Sequence, residues 1–457
     1  MEFTSIPFLF WFFPLFLFVY FINKNRKYRN FILFLFSIIF YAWGEPIYVL
    51  LVLFSIILNY YLAKKIDKTH SKPIFIITII IDILILVIFK YVPFLIESIN
   101  DIFNITIKVP NIKLPIGISF YTFQILSYII DIYHQKVHFQ KNIIYLGCYI
   151  IAFPQLIAGP IVRYSTVEDE IDNRKENKED FIYGTERFVI GLIKKIMIAN
   201  VLGLISTNIF NQDAETYGLL YSWLGMIFYS FQILFDFSGY SDMAIGIGRM
   251  LGFHYLENFN YPYISTSITD FWRRWHISLS SFFRDYVYIP LGGNRVTKKR
   301  HILNLLIVCS LTGLWHGAST NFILWGLYYG IILIIEKYII KDRIDKWPNT
   351  IKHLYSLLII IIGWVLFKFT DMLEIKNVLG SMFGINGLGN IHLLKFINGL
   401  NLTTIIALIL AIIFAIPKLA KKFLNFKYKD IILIILLIIS LCEIITGSYN
   451  PFIYFRF

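Results

Sequence analysis

Long apolar runs with almost no charge constrain the fold of this chain more than any other feature. The stretches PFLFWFFPLFLFVYFI (7–22) and IFIITIIIDILILVIFKYVPFLI (74–96) are typical of the series. Their lengths lie near the about 17–25 residues that an α-helix needs to cross a bilayer. Charged residues make up only 16% of the 457 residues, well below the about 25% of ordinary soluble proteins. The sequence therefore predicts an all-α polytopic membrane protein.

The positive charge of the chain follows the same pattern. The net charge is +13, and Lys and Arg cluster in short segments between apolar runs, such as 23–29, 292–301 and 418–429. Basic loops of this kind mark the cytoplasmic side of a membrane protein. They carry no interleaved aromatic platform, which argues against a nucleic-acid partner. Counting crossings from loop to loop predicts about ten to twelve transmembrane helices, with additional re-entrant and interfacial helices.

The stretch SLTGLWHGASTNFILWG (310–326) places His316, next to Trp315, between two apolar helices. The predicted helix 302–315 puts this histidine about 20 Å from the cytoplasmic basic loop, at about 1.5 Å per residue. An ionisable side chain at that depth is by default a candidate functional residue. The alternative is a neutral core histidine that binds a backbone carbonyl.

A second polar segment, 258–295, contains the sequence ITDFWRRWHISLSSFFRD. Apolar residues at spacings of three and four predict one amphipathic helix lying in the membrane interface. As a functional alternative, its arginines bind an anionic acyl donor, because the guanidinium fork suits phosphate. The residues concerned are Arg273, Arg274, Trp275, His276 and Arg284.

A third polar group follows an apolar run in FDFSGYSDMAIGIGRMLGF (235–253). Asp236, Tyr240 and Asp242 form either a buried hydrogen-bonded network or part of a channel wall. The histidines and the three cysteines of the chain show no spacing typical of a metal site, so no metal is expected.

Together these stretches resemble the membrane-bound O-acyltransferase family, in its alginate O-acetyltransferase-like bacterial branch. No single motif is specific, but their order along the chain is. The resembling stretches are FYAWGEPIY (40–48), LPIGISFYTFQILSYIIDIY (114–133), FPQLIAGPIVRY (153–164), the three polar segments above and the ending PFIYFRF (451–457).

The resemblance implies a single membrane-embedded domain over residues 1–457. Its core would span roughly 110–370, with peripheral helices in 1–100 and 395–450, and two funnels would meet in a transmembrane tunnel. It also implies that His316 matches the presumed catalytic histidine of the family, and that His276 matches its second histidine. Trp275, Trp315 and the polar residues named above would then line the tunnel or bind the donor.

The expected activity is transfer of an acyl group, acetyl above all, from a cytoplasmic thioester such as acetyl-CoA to an extracytoplasmic polysaccharide. No tightly bound cofactor is expected. The resemblance further implies a bacterial inner membrane, contact with lipid and an extracytoplasmic partner transferase of the SGNH-hydrolase type. Two alternatives stay open: cell-wall modification, by peptidoglycan O-acetylation or D-alanylation of teichoic acid, and a transporter or flippase without chemistry.

Overall fold

The computed structural model describes residues 1–157, 159–212, 218–388, 400–447 and 451–453, with the single residues 393 and 397. These described residues form helices, turns and loops and contain no β-strand. This confirms the predicted all-α class. Residues 454–457 of the ending PFIYFRF lie outside the described residues, as does part of the predicted peripheral region 395–450.

The helices follow the apolar runs closely. In the first half of the chain they are α1 (Phe8–Phe21), α2 (Arg26–Gly44), α3 (Tyr48–Thr69), α4 (Lys72–Lys90), α5 (Val92–Phe103), α6 (Ile118–Tyr133), α7 (Ile143–Ile151), α8 (Phe153–Leu156), α9 (Tyr164–Asn173) and α10 (Lys178–Phe210). In the second half they are α11 (Leu219–Met250), α12 (Ile268–Arg274), α13 (Ile277–Phe283), α14 (Lys298–His316), α15 (Thr320–Ile344), α16 (Asn349–Lys368), α17 (Met372–Met382), α18 (Leu402–Ala415), α19 (Pro417–Leu424) and α20 (Lys429–Thr446).

Several of these helices can cross a membrane. Among the described residues, α3, α4, α10, α11, α15 and α16 are long and apolar enough, and the pair α18 and α19, bent by 102°, would make a seventh span. Other helices of 18 or 19 residues, such as α2, α14 and α20, carry charged residues near their ends. The chain is a multi-pass membrane protein, and the number of ten to twelve crossings stays a prediction.

The described chain divides into two compact units. Unit 1 consists of Met1–Val189 and Tyr240–Glu257, and unit 2 of Ile190–Gly239 and Asn258–Phe457. The backbone therefore passes between the units within the helices α10 and α11 and again after residue 257. The description of residues 1–457 as one domain with a core at 110–370 stays a prediction.

Unit 1 has exposed apolar side chains on its outer surface and a network of polar side chains inside. Leu50 and Phe54 of α3 are 70% and 54% exposed, a surface that suits hydrocarbon better than water. Inside the unit, the carboxylate of Glu176 accepts hydrogen bonds from Tyr20 and Arg26, at 2.7 Å each, and from Arg29. This network fixes α1 and α2 against the segment that connects α9 with α10.

Unit 2 is built around the close pair α14 and α15. Gly313 and Gly326 permit this approach, because a Cβ at either position would clash with the backbone of the facing helix. Small residues serve this purpose between membrane helices generally, since without a side chain two backbones can approach closely. The tight pairing holds the end of α14, and with it His316, in a defined place.

The predicted single amphipathic helix around residues 268–283 is wrong. Two short helices, α12 and α13, are separated by Trp275 and by His276, whose φ of 43° and ψ of 56° lie in the left-handed region. The helix break is held from outside: the backbone N–H of Ile277 donates to the Asn258 carbonyl, and that of Asn260 to the Arg274 carbonyl. A residue with a side chain pays conformational strain there, which is a feature of functional sites.

Candidate active site

The first predicted catalytic residue, His316, is the last residue of α14 and is only 2% exposed. Its ring centroid lies 5.0 Å from that of Trp315, 5.0 Å from that of Trp325 and 5.3 Å from that of Phe367. All three rings meet the imidazole at angles of 78–86°. α14, α15 and α16 thus surround this imidazole with aromatic rings.

The second predicted histidine, His276, is fully buried and contacts the same tryptophan. Its ring centroid lies 5.6 Å from that of Trp315 and 4.6 Å from that of Phe237 in α11. Two histidines that are 40 positions apart in sequence therefore share one indole (316 minus 276). We call this group of side chains the aromatic chamber; its members are Phe237, His276, Trp315, His316, Trp325 and Phe367.

A second aromatic layer supports the chamber. The ring centroid of Trp364 lies 4.8 Å from that of Trp275 and 5.6 Å from that of Phe367 of the chamber. The indole N–H of Trp364 donates to the hydroxyl of Tyr263 at 3.1 Å, and this hydroxyl donates to the Ser230 carbonyl at 2.5 Å. Predicted residue Trp275 therefore lies in the wall of the site.

A neighbouring amide holds His276 in place. Its Nδ1 lies 3.1 Å from Oδ1 of Asn258, which also accepts hydrogen bonds from the hydroxyl and the backbone N–H of Ser278, at 2.8 and 3.2 Å. Burial lowers the pKa of His276 to about 3, from an ordinary value of 6.5. The imidazole is therefore neutral at physiological pH, as a proton acceptor must be.

Comparison with known proteins places the chain in a family. The model of the membrane-bound O-acyltransferase family matches residues 140–372, a range that includes every residue of the aromatic chamber. A probable alginate O-acetylase of Pseudomonas putida is 36% identical, over 100% of both chains. The chain belongs to the membrane-bound O-acyltransferase family. It is an O-acyltransferase, as its motifs predicted.

Two further relatives place this acyltransferase among enzymes with different acceptors. A peptidoglycan O-acetyltransferase of Helicobacter pylori is 34% identical over 87% of this chain and 84% of its own. A teichoic acid D-alanyltransferase of Bacillus subtilis is 34% identical over 53% of this chain and 62% of its own. The similarity to the O-acetyltransferases thus extends over more of the chain.

Of the three arginines predicted to bind the donor, two form ion pairs with aspartates and the third is exposed. Arg274 pairs with Asp270 at 2.9 Å, and Arg284 pairs through two nitrogens with Asp285, at 2.6 and 3.0 Å. Arg273 is exposed. A donor phosphate would have to compete with the two aspartates, so a role of these arginines in donor binding stays a prediction.

Asp236, predicted to line a tunnel or a buried network, is part of a buried ion pair. Its Oδ1 lies 2.5 Å from Nζ of Lys195, and both residues are no more than 2% exposed. Its Oδ2 accepts a hydrogen bond from the backbone N–H of Ile453, while Lys195 donates to the Pro451 carbonyl at 3.3 Å. Asp236 thus anchors the C-terminal segment, one residue before Phe237 of the chamber.

The other two members of the predicted polar group belong to unit 1. The ring of Tyr240 stacks on that of Phe3 with centroids 4.6 Å apart. Asp242 pairs at 2.8 Å with Arg187, which also binds Glu257. In the structure the three residues Asp236, Tyr240 and Asp242 therefore have separate partners.

Sequence reasoning missed several residues that build the site. Asn258 is the most consequential, and it lies 18 positions before the histidine that it holds (276 minus 258). Trp325 and Phe367 look like ordinary membrane-helix residues. Lys195 offered a signal, because a lysine pair interrupts the apolar run GLIKKIMIAN (191–200), but its partner could not be named.

Proposed function

We propose that this acyltransferase moves an acetyl group from a cytoplasmic thioester, such as acetyl-CoA, to a hydroxyl group of an extracytoplasmic, alginate-like polysaccharide. The observation that carries the proposal is the pair of histidines that both contact the ring of Trp315. The full-length similarity to a probable alginate O-acetylase supports the class of acceptor.

His316 is the proton acceptor in this mechanism. A hydroxyl oxygen attacks the acyl carbon, its proton passes to the neutral imidazole, the carbon–sulfur bond breaks, and the thiolate leaves and takes up a proton. A positioned base of this kind typically contributes about 10²–10⁴-fold to the rate. The rings of Trp325 and Phe367 enclose the imidazole of His316 and limit the directions from which a hydroxyl group can approach it.

His276 assists at the same acyl group, either by orienting the donor or by helping the thiol to depart. Its contact with Trp315 keeps the two imidazoles in a fixed relation. Arg273, Arg274 and Arg284 are proposed to receive the phosphates of the donor. A continuous passage to both membrane faces would let the acyl group cross while the donor stays inside.

An extracytoplasmic partner completes the proposed pathway. A transferase of the SGNH-hydrolase type would take the acyl group and modify the polysaccharide, with the acyltransferase residing in the bacterial inner membrane. The similarity to a peptidoglycan O-acetyltransferase supports a second candidate, acetylation of the cell wall, because both chains are covered to more than four fifths. D-alanyl transfer has less support, since that relative covers only 53% of this chain.

Replacement of His316 by Ala tests the proposal. We expect loss of O-acetyl ester on the isolated polysaccharide by at least about 10²-fold, with unchanged amounts of protein in the membrane. The matched control is His301→Gln, which alters a histidine that is equally buried but lies outside the chamber. Full retention of ester in the His316→Ala variant would overturn the assignment. Transport of an intact solute by this variant would favour the transporter instead.

A further inference from the structure

We infer that Asn258 is a positioning residue that fixes His276 as its Nδ1–H tautomer, so that His276 presents Nε2 to the substrate as a hydrogen-bond acceptor. The inference rests on the proposed function, in which both histidines act on one acyl group. The proposed function gives His276 two possible roles, orientation of the donor or assistance to the departing thiol, and the inference chooses between them.

The orientation of the Asn258 amide follows from its neighbours. The backbone N–H of Ser278 points at one terminal atom of the amide, 3.2 Å away, and a backbone N–H can only donate. The atom that receives it must be the amide oxygen, because an NH₂ group in that place would oppose one donor to another. The Ser278 hydroxyl, at 2.8 Å from the same atom, is satisfied by the same assignment.

The tautomer of His276 follows from the amide. Nδ1 lies 3.1 Å from this oxygen, and an unprotonated Nδ1 would place two lone pairs against each other at that distance. Nδ1 must therefore carry the hydrogen and donate it. In a neutral imidazole the other nitrogen, Nε2, then carries the lone pair.

The choice of an amide rather than a carboxylate matters for the chemistry. A carboxylate on Nδ1 would fix the same tautomer but would also stabilise the imidazolium, and so raise the proton affinity of the ring. An amide fixes the tautomer without that charge. Asn258 is itself 1% exposed, so water does not replace it as the hydrogen-bond acceptor.

The backbone geometry supports a positioning role as well. The left-handed conformation of His276 breaks the helix, and the Asn258 carbonyl accepts the N–H of Ile277 at 2.9 Å. Asn258 therefore holds the break by its main chain and the ring by its side chain. A substitution of the Asn258 side chain removes the hydrogen bond to the His276 ring and keeps the main-chain bond to Ile277, so the two contributions can be measured separately.

The consequence is a defined part for His276. A lone pair on Nε2 accepts a hydrogen bond from an O–H or N–H group of the bound substrate. It cannot donate a proton to the departing thiolate unless the ring has first taken one up. Of the two parts open to His276, orientation of a substrate through acceptance of a hydrogen bond is the one that its tautomer supports.

The tautomer can be measured without any acyl transfer. The full-length protein is labelled with ¹⁵N-histidine and reconstituted into vesicles of phosphatidylglycerol and phosphatidylethanolamine, and ¹⁵N shifts are recorded by solid-state NMR. A difference spectrum against His276→Gln assigns the signals. We expect a protonated Nδ1 and an unprotonated Nε2 in the wild type and in Asn258→Asp, and a shift toward the Nε2–H form in Asn258→Leu.

Acyl transfer by the same samples tests the consequence. Asn258→Leu is expected to lower kcat by about 10²-fold, the cost of misplacing an orienting group by about 1 Å, with little change in KM for the thioester. Asn258→Asp should restore most of the rate, with an altered pH profile. The matched control is Ser281→Ala, which removes a hydroxyl of the same short helix that donates to the Ser278 carbonyl at 2.9 Å and contacts neither Asn258 nor Nδ1, and should stay within a few-fold of the wild type.

The outcomes separate this inference from the proposed function. An Nε2–H tautomer in the wild type, or an unchanged tautomer in a folded Asn258→Leu protein, would overturn the inference even if transfer proceeds. The expected tautomers without any transfer to a polysaccharide would overturn the proposed function and leave the role of Asn258 as a positioning residue intact. Melting temperatures of all variants confirm that the proteins compared are folded.

Discussion

Two histidines of unit 2, His276 and His301, are both buried, at 0% and 2% exposure, but are held in different ways. His276 is bound through Nδ1 to an amide and lies between the rings of the aromatic chamber. His301 is bound at both nitrogens, by the hydroxyl of Tyr288 at Nε2 and by that of Tyr338 at Nδ1, each at 2.7 Å. The protein thus uses both nitrogens of His301 to connect its own elements.

The difference shows why burial alone does not identify a catalytic histidine. His301 lies near the start of α14 and joins it to α15, which carries Tyr338, and to the segment after α13, which carries Tyr288. His276 is held at Nδ1 by the amide that orients it, and it shares Trp315 with His316. The geometry of the hydrogen bonds, together with the neighbouring histidine, distinguishes a functional histidine from a structural one.

The most direct test of the difference between His276 and His301 is to replace each histidine by glutamine. His276→Gln is expected to lower acyl transfer by about 10²-fold, because the amide of glutamine does not place a hydrogen-bond acceptor where Nε2 of the imidazole orients the substrate. His301→Gln is expected to keep transfer within a few-fold and to lower the melting temperature instead. The measurement is transfer from acetyl-CoA by each purified protein in nanodiscs, beside its thermal melt.

The comparison would fail if the two variants exchanged their effects. Loss of transfer in a folded His301→Gln protein, with transfer retained in His276→Gln, would make His301 the functional histidine. A matched control is His134→Gln, which alters an exposed histidine of unit 1 and should change neither transfer nor melting temperature.

The sequence predicted the class of fold well, for a physical reason. Apolar runs of membrane length have few alternatives to a helix, because a backbone in lipid must satisfy its own hydrogen bonds. The apolar run 74–96 accordingly forms the helix α4, at Lys72–Lys90, and the start of α5. The same run shows the limit: it was read as one apolar stretch, but α4 ends at Lys90 and α5 continues to Phe103.

The interior of the site was predicted only in part. His276 and His316 were named through a resemblance, and the structure brings both to Trp315. The break between α12 and α13 was missed, because the apolar spacing continues across it while Asn258, far away in sequence, holds the backbone apart. A second distant contact was missed similarly: the carboxylate of Glu336, in α15, accepts the backbone N–H of Ile268, at the start of α12, at 2.6 Å. Pattern rules detect local periodicity and miss contacts of this kind.

The dependence of stability on pH is a second test of the difference between the two histidines. Burial lowers the pKa of His276 from 6.5 to about 3. Between these values the unfolded chain binds a proton that the folded chain does not, so stability is full above pH 6.5 and is lost as the pH falls below it. At pH 5.5 the loss is on the order of 1 kcal/mol. His276→Gln should remove this loss.

Melting temperatures in nanodiscs at pH 7.5 and 5.5 give the measurement. Burial and the neighbouring Lys337 also lower the pKa of His301, so His301→Gln serves as the paired variant and should reduce the acid-dependent loss less. An equal drop in melting temperature on acidification for the wild type and both variants would show that neither histidine is responsible for it.

The smallest expected effect concerns the hydroxyls around His301. Tyr338→Phe removes the hydrogen bond to Nδ1 and is expected to lower the free energy of unfolding by about 0.6 kcal/mol, the average for a side-chain hydrogen bond between membrane helices. Transfer should be unchanged, because the phenol connects α15 with α14 outside the chamber. The measurement is the unfolding midpoint in a denaturing detergent, with Tyr428→Phe, 52% exposed, as control. If Tyr338→Phe instead slowed transfer while stability was retained, the hydroxyls around His301 would belong to the chemistry, and the distinction between a histidine held at both nitrogens and one held for catalysis would no longer hold.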